Sequence, residues 1–241
     1  MKNLSFALIA LCFLLSSNAN AQRVMNQKTL YPLQCSSTVN LQVYDITDCQ
    51  LQLACGTMPD TANQQVALCV AAAFTGKCLE EFAHSNILGT HVSQGVSYDG
   101  YEETPEHYAF FASAGQDHKA IYTEVTPDQL QQLESADGMG FTQYWVIKQG
   151  QVYEPKRQKD KVECYRCLAQ KQGRWYVLES KQSVTYDFFL KSLLAFGVEN
   201  ALYLDMGRGW NHSFYRDAQG ELHVIHPYAH PYCTNWMYVI L

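Results

Sequence analysis

Apolar and polar residues alternate with a period of two through much of the chain, the pattern of strands with one face turned to a core. In "LQVYDI" and "QLQLACG" this alternation predicts two strands joined by a turn near Asp48, followed by a loop over "MPDTANQQ". Three further stretches read as hairpins: "HYAFFASAG" with "HKAIYTEV" around Gly115-Gln116-Asp117, "FTQYWVIKQGQVYEP" turning at Gln149-Gly150, and "CYRCLAQKQGRWYVLES" turning near Gln172-Gly173. Gly89, Gly95 and Gly100, spaced through polar and β-prone residues, predict strand edges and turns lining a surface cleft. The segment "VALCVAAAFTG", Val66 to Gly76, is apolar without period, and its alanines leave both a buried strand and a helix open.

Twice the period lengthens to that of a helix. "TPDQLQQLESADG" has Thr126 to cap a helix, Pro127 for its first turn and Gly138 to stop it. In "TYDFFLKSLLAFG" the residues Phe188, Phe189, Leu193, Leu194 and Phe196 suit one helical face, ended by Gly197. The apolar run Ala201 to Leu204 then predicts an interior strand with that helix packed on the sheet, and "GELHVIHP" and "NWMYVIL" close the chain as strands. The sum is a single α+β domain, a mostly antiparallel mixed sheet with at least two packed helices. Residues 22–64 form an extended and strand-like lead-in, and 65–241 the main domain.

The first 21 residues stand apart. Lys2, an apolar core from Phe6 to Leu15 and the closing Ala19-Asn20-Ala21 have the order of a secretory signal cleaved after Ala21. The core falls short of the ~20 apolar residues that a bilayer span needs, so the expected product is secreted or periplasmic, with no membrane span after cleavage. Cleavage removes Lys2 and no acid, taking the formal charge from -6 to -7. An acidic chain without a basic run offers nucleic acid no electrostatic footprint. Eight cysteines remain beyond the leader: Cys35, Cys49, Cys55, Cys69, Cys78, Cys164, Cys167 and Cys233. In an oxidising compartment, structural disulfides are the expectation, with connectivity open.

The stretch "ALYLDMGRGWNHSFYRD" asks for a chemical explanation, because a buried strand ends in an acid followed by flexible backbone. Asp205 is either a general acid or base raised in pKa by partial burial, or a turn cap bonding the amides that follow. Gly207 and Gly209 allow backbone N–H groups to approach an anion, and Arg166 and Arg208 supply guanidinium groups that match two phosphate oxygens, although a surface ion pair is the commoner use of arginine. Trp210, Tyr215 and Trp236 are candidates to stack on a sugar ring or to fill the core. His212 and His226 can carry a proton near neutral pH. The cluster His223, His226 and His230 invites a metal reading, but Pro227 and Pro231 exclude a regular helix there, and neither metal nor cofactor is expected. No G-x-S-x-G elbow, P-loop or H-E-x-x-H pattern occurs, so serine hydrolase, nucleotidase and zincin chemistries lack their residues.

The order of elements from Asp187 to Trp210 resembles the phosphodiester glycosidase family: a helix ending in Leu-x-x-x-Gly, a short loop, then an apolar strand ending in Leu204-Asp205 before glycine-rich backbone. Upstream, Arg166 before "KQGRWYVL" is similar to the family's arginine, turn and strand, "YWVIKQGQVY" to its strand pair, and "VAAAFTG" stands where the family has Asn-Gly-Gly-Phe-Phe. The resemblance spans residues 65–241 and rests on Leu204, Asp205, Gly207, Phe74 and Arg166. It departs at Ala71, in place of the asparagine, and at Met206, Arg208 and Trp210 within the glycine segment. The resemblance implies a hydrolase cleaving a sugar joined through its anomeric oxygen to phosphate, with Asp205 as acid/base; His226 joins it as a catalytic candidate because a histidine beside Asp205 can carry a proton near neutral pH. Arg166, Arg208, Gly207, Gly209, Asn211, Trp210 and Phe74 would bind a carbohydrate or phosphoglycan substrate. A non-catalytic glycan- or phosphoglycan-binding protein on the same fold is the alternative.

Overall fold

The computed structural model describes residues 33–75, 82–101, 107–153, 159–205, 212–226 and 233–241. Of these, 51% lie in strands and 13% in helices. That balance overturns the expected α+β domain with packed helices: the described residues form a β-structure carrying two short α-helices. The reason is physical. Most of the apolar runs belong to strands covered on both faces, which lose the clean alternation of a one-sided sheet. "VALCVAAA" is such a case, since Val66–Ala71 is a fully buried strand with a neighbour on each side.

An eleven-stranded sheet is built in the order β1 (Gln34–Ser37), β2 (Leu41–Asp45), β13 (Arg174–Ser180), β12 (Arg166–Lys171), β15 (Asn200–Leu204), β9 (Met139–Lys148), β5 (His91–Ser93) and β6 (Val96–Tyr98). β7 (Tyr108–Ala114) also pairs with β9 and carries β8 (His118–Tyr122), while β10 (Gln151–Val152) folds back on β9. A second sheet runs β17 (Leu222–His226), β16 (Ser213–Arg216), β4 (Val66–Ala71), β18 (Asn235–Ile240) and β3 (Gln50–Cys55). β11 (Val162–Glu163) and β14 (Val184–Thr185) form a small ladder of their own. Every one of these ladders is antiparallel. The turn near Asp48 does not close a hairpin; it carries the chain from β2 in the large sheet to β3 in the small one.

The predicted turns at Gln149-Gly150 and Gln172-Gly173 have both residues at positive φ, 53° and 74° in the first and 50° and 74° in the second. That conformation matches the right-handed twist of a two-residue hairpin. It sets the register of β12 on β13, from Lys171↔Arg174 at the turn to Arg166↔Glu179 at the far end.

The main core lies between the two sheets. Phe141 and Trp145 of β9, Leu168 of β12, Val177 of β13 and Leu202 and Leu204 of β15 meet Leu68 and Val70 of β4, Leu51 and Leu53 of β3 and Met237 and Val239 of β18. Alternate residues of the same strands, such as Tyr144, Cys167, Leu178 and Tyr203, turn to the opposite face of the large sheet. There α2 (Tyr186–Phe196) covers them with Tyr186, Phe189, Leu190 and Leu193, an i, i+3, i+4, i+7 stripe. The stripe differs from the one read in the sequence: Phe188 and Leu194 are 43% and 39% exposed. α1 (Pro127–Ser135) has the anticipated Thr126 capping box but buries only Leu133, so it lies along the domain instead of closing a layer.

β15 pairs with β12 on one side and β9 on the other, and Ala201 to Leu204 are fully buried. Fully burying one leucine side chain contributes about 1.5–3 kcal/mol, which suffices to keep this strand interior. It ends by presenting Asp205 at the boundary between the sheets.

Among the described residues no disulfide forms: Cys35, Cys49, Cys55, Cys69, Cys164, Cys167 and Cys233 are all free. Cys69 and Cys167 sit completely buried as small apolar side chains, a use of cysteine that counting thiols does not reveal. Cys78 and the proposed signal segment lie outside the described residues.

Candidate active site

Arg166 opens β12 with its side chain entirely buried, on the face directed at the small sheet. A guanidinium in that position requires a counter-charge, since an unpaired ion in a dry core is prohibitively costly. Glu179, directly across the hairpin, supplies it. Arg166 Nε and Nη2 donate to Glu179 Oε2 at 2.9 and 2.7 Å, and Nη2 also donates to Ser213 Oγ at 2.8 Å. The third nitrogen, Nη1, is buried and has no hydrogen-bond partner among the described residues.

The other oxygen of Glu179 faces the small sheet. His226 Nε2 lies 2.6 Å from Glu179 Oε1, and His226 is itself the cross-strand partner of Ser213 in the β16–β17 ladder. Burial alone would push the Glu179 carboxyl up; Arg166 and His226 outweigh it and hold it below its ordinary value. Glu179 is thus ionised, accepts from both neighbours, and joins Arg166 of one sheet to His226 of the other. The His226 side chain remains 26% exposed, so one end of this buried chain meets solvent.

Asp205 follows Leu204, the residue opposite Arg166 in the β12–β15 ladder. It is 2% exposed, and its amide donates to Ala72 O at 3.0 Å. This bond brings the Leu204-Asp205 strand end against the Ala71–Phe74 segment. Asn235 braces that segment from the other side, accepting from Ala73 N at 2.7 Å and donating to Ala73 O at 3.0 Å. Gln143 Nε2 adds a 3.3 Å bond to Ala72 O. Nearby, burial and then the charge of Asp205 push the Cys233 thiol up, while its bond to Asn235 O and the charge of Arg166 oppose them.

The structure therefore brings Arg166, Asp205 and His226 into one region and adds Glu179 and Ser213, which the residue types alone do not single out. Phe74 stands apart from the ion chain, packed on Tyr144 and Tyr203 with ring centroids 5.5 and 5.7 Å away. Tyr215 and Trp236 take structural positions: Tyr215 stacks on His223 at 4.7 Å and tilts against Tyr44 at 5.2 Å, and Trp236 is buried in the cluster behind the small sheet. His223 pairs with Asp217 at 2.8 Å on the surface, away from Glu179. Burial pushes the half-buried His212 down in pKa. Gly207, Arg208, Gly209, Trp210 and Asn211 lie outside the described residues, as does His230.

The fold and the site together define a two-sheet antiparallel domain whose internal ion chain, Arg166–Glu179–His226, reaches solvent at His226. No protein-family model matches the chain, and no curated protein matches it in sequence. Among solved structures it is similar to the zebrafish N-acetylglucosamine-1-phosphodiester alpha-N-acetylglucosaminidase catalytic domain, auto-inhibited by pro-peptide. The two share 13% sequence identity and superpose with a TM-score of 0.53 over 86% of this chain and 81% of that one. At that identity the likeness is one of fold, a phosphodiester-glycosidase-like fold.

Proposed function

We propose that the protein is an exported hydrolase that cleaves a sugar-1-phosphodiester at the bond between the anomeric carbon and the phosphate oxygen. The observation that carries this reading is the histidine–carboxylate–arginine chain in a fold shared with a glycosidase catalytic domain. With Nε2 held as the donor to Glu179, the His226 ring presents its Nδ1 lone pair as a base, the tautomer logic of a histidine oriented by a buried acid. In the proposed reaction His226 accepts a proton from the attacking water. Asp205 supports the positive charge that develops at the anomeric carbon, and the phosphate monoester departs with the bonding electron pair. Arg166, fully buried and committed through Nε and Nη2 to Glu179 and Ser213, does not reach the phosphate; its role in this reading is to hold Glu179 ionised beneath His226. Carbohydrate or phosphoglycan is the implied substrate class.

The alanines at positions 71 to 73 favour a second reading, a glycan-binding protein that retains the fold without turnover. The experiment is hydrolysis of a panel of glycosyl-1-phosphodiesters by the purified protein, with sugar and phosphate monoester quantified as products, alongside His226→Gln. Turnover that falls ~10²–10⁴-fold in the variant supports the enzyme. Binding of the same compounds without product supports the second reading.

A further inference from the structure

We propose that Cys55, His84 and His91 form a binding site for one transition-metal ion, zinc in the first instance, separate from the Arg166–Glu179–His226 chain. Cys55 closes β3, His91 opens β5, and His84 begins the short 3₁₀ turn His84–Asn86. Nothing in their sequence spacing links the three; the fold brings their ligand atoms within 4.8 Å of one another. Four-coordinate zinc with ordinary Zn–N and Zn–S lengths would separate such atoms by roughly 3.3–3.7 Å, so the two histidine nitrogens, 3.0 Å apart, would part slightly to admit the ion.

The tautomer of His91 points the same way. Its Nδ1 lies 3.2 Å from Gly89 O, and a carbonyl can only accept, so Nδ1 carries the hydrogen and Nε2 presents a lone pair. That lone pair is aimed at His84 Nδ1, 3.0 Å away, with the His91 ring fully buried and His84 and Cys55 half-buried. A ring N–H anchored on a backbone carbonyl with the opposite nitrogen facing other donors is the usual support of a metal-bound histidine. Tyr98 stacks flat on the His84 ring, with centroids 3.4 Å apart and planes 4° from parallel, and Phe82 meets it edge-on at 5.3 Å. The ring is therefore held in one orientation before any ion arrives.

Donor chemistry selects the ion. Two imidazole nitrogens and one sulfur suit zinc or copper, whereas calcium and magnesium require oxygen ligands that this trio lacks. On binding, the Cys55 S–H bond gives way to a sulfur–metal bond and one proton leaves to solvent. Without metal the same geometry is a plain His84–His91 hydrogen bond, and experiment separates the two.

The test is to reduce the full chain, strip it with a chelator, remove the chelator and titrate with Co²⁺, then with Zn²⁺. We expect about one ion per chain, a thiolate-to-cobalt charge-transfer absorption, and its loss as zinc displaces cobalt. Cys55→Ser should abolish that absorption. His84→Gln, at a half-buried position, should lower cobalt affinity at least tenfold while circular dichroism stays unchanged, and should lack the zinc-dependent rise in Tm expected of the wild type. Absence of the charge-transfer absorption in the folded wild type, or its persistence undiminished in both variants, would overturn the proposal.

Discussion

Arg166 and Glu179 face each other across neighbouring antiparallel strands and close a two-point ion pair, with both donor nitrogens on the single oxygen Oε2. The pair is dry on all sides, so its two members are worth far more together than either is alone. Removing one partner strands the other as a buried charge. Arg166→Met should therefore lower the unfolding free energy by about 3–5 kcal/mol in denaturant titrations, whereas the double variant Arg166→Met with Glu179→Leu should recover much of that loss.

Glu179 also sets an acid limit. Its folded pKa lies below the ordinary 4.5, so the unfolded chain takes up this proton first. The stabilisation it contributes is complete above 4.5 and is lost as pH falls through the lower folded value. Unfolding free energy measured between pH 6 and pH 3 should drop in the acidic part of that range. In Glu179→Gln the drop should be shallower, by up to ~1.4 kcal/mol per pH unit.

Asp205→Asn discriminates a chemical role from a capping one. The amide keeps the shape of the carboxyl but holds no negative charge and exchanges no proton, so turnover of a glycosyl-1-phosphodiester should fall ~10²–10⁴-fold. Far-UV circular dichroism should be unchanged, because the backbone bond from residue 205 to Ala72 O does not involve the side chain. Turnover equal to that of the wild type would remove Asp205 from the proposed mechanism.

Gly140 lies where β9 passes β7 at close range. A Cβ there would stand 2.3 Å from Phe110 Cζ and 2.8 Å from Phe111 O, the second a backbone atom that cannot step aside. Gly140→Ala should cost about 1–3 kcal/mol of stability through overpacking, read as a lowered Tm with unchanged kinetics at low temperature.

Local chemistry was legible in the sequence where short-range rules decide it. Thr126 caps α1, Gly197 ends α2 in the left-handed conformation, and Gln149-Gly150 and Gln172-Gly173 turn hairpins. What failed was the weight given to helix, because strands covered on both faces lose their alternation and because α2 turns Phe188 and Leu194 outward. Asp205 and Arg166 stood out as charges beside apolar runs. Glu179 did not, since in "RWYVLES" it passes for a solvent-facing strand residue. Its signal was arithmetic: a two-residue turn at 172 and 173 places residue 179 opposite residue 166, and opposite charges there predict a pair. Ser213 and His226 approach that pair from the other sheet, by contacts no local rule supplies.

The four side chains Arg166, Glu179, Ser213 and His226 come from two different sheets, two from each. This arrangement acts as a checkpoint on assembly. A chain that pairs β16 or β17 one residue out of register within the small sheet turns Ser213 or His226 away from the large sheet. Glu179 and Arg166 are then left with unmet hydrogen bonds in a dry interior. Such an error is penalised at the very place where the chemistry is proposed to occur, so correct alignment of the sheets and readiness of the site are reached in the same step.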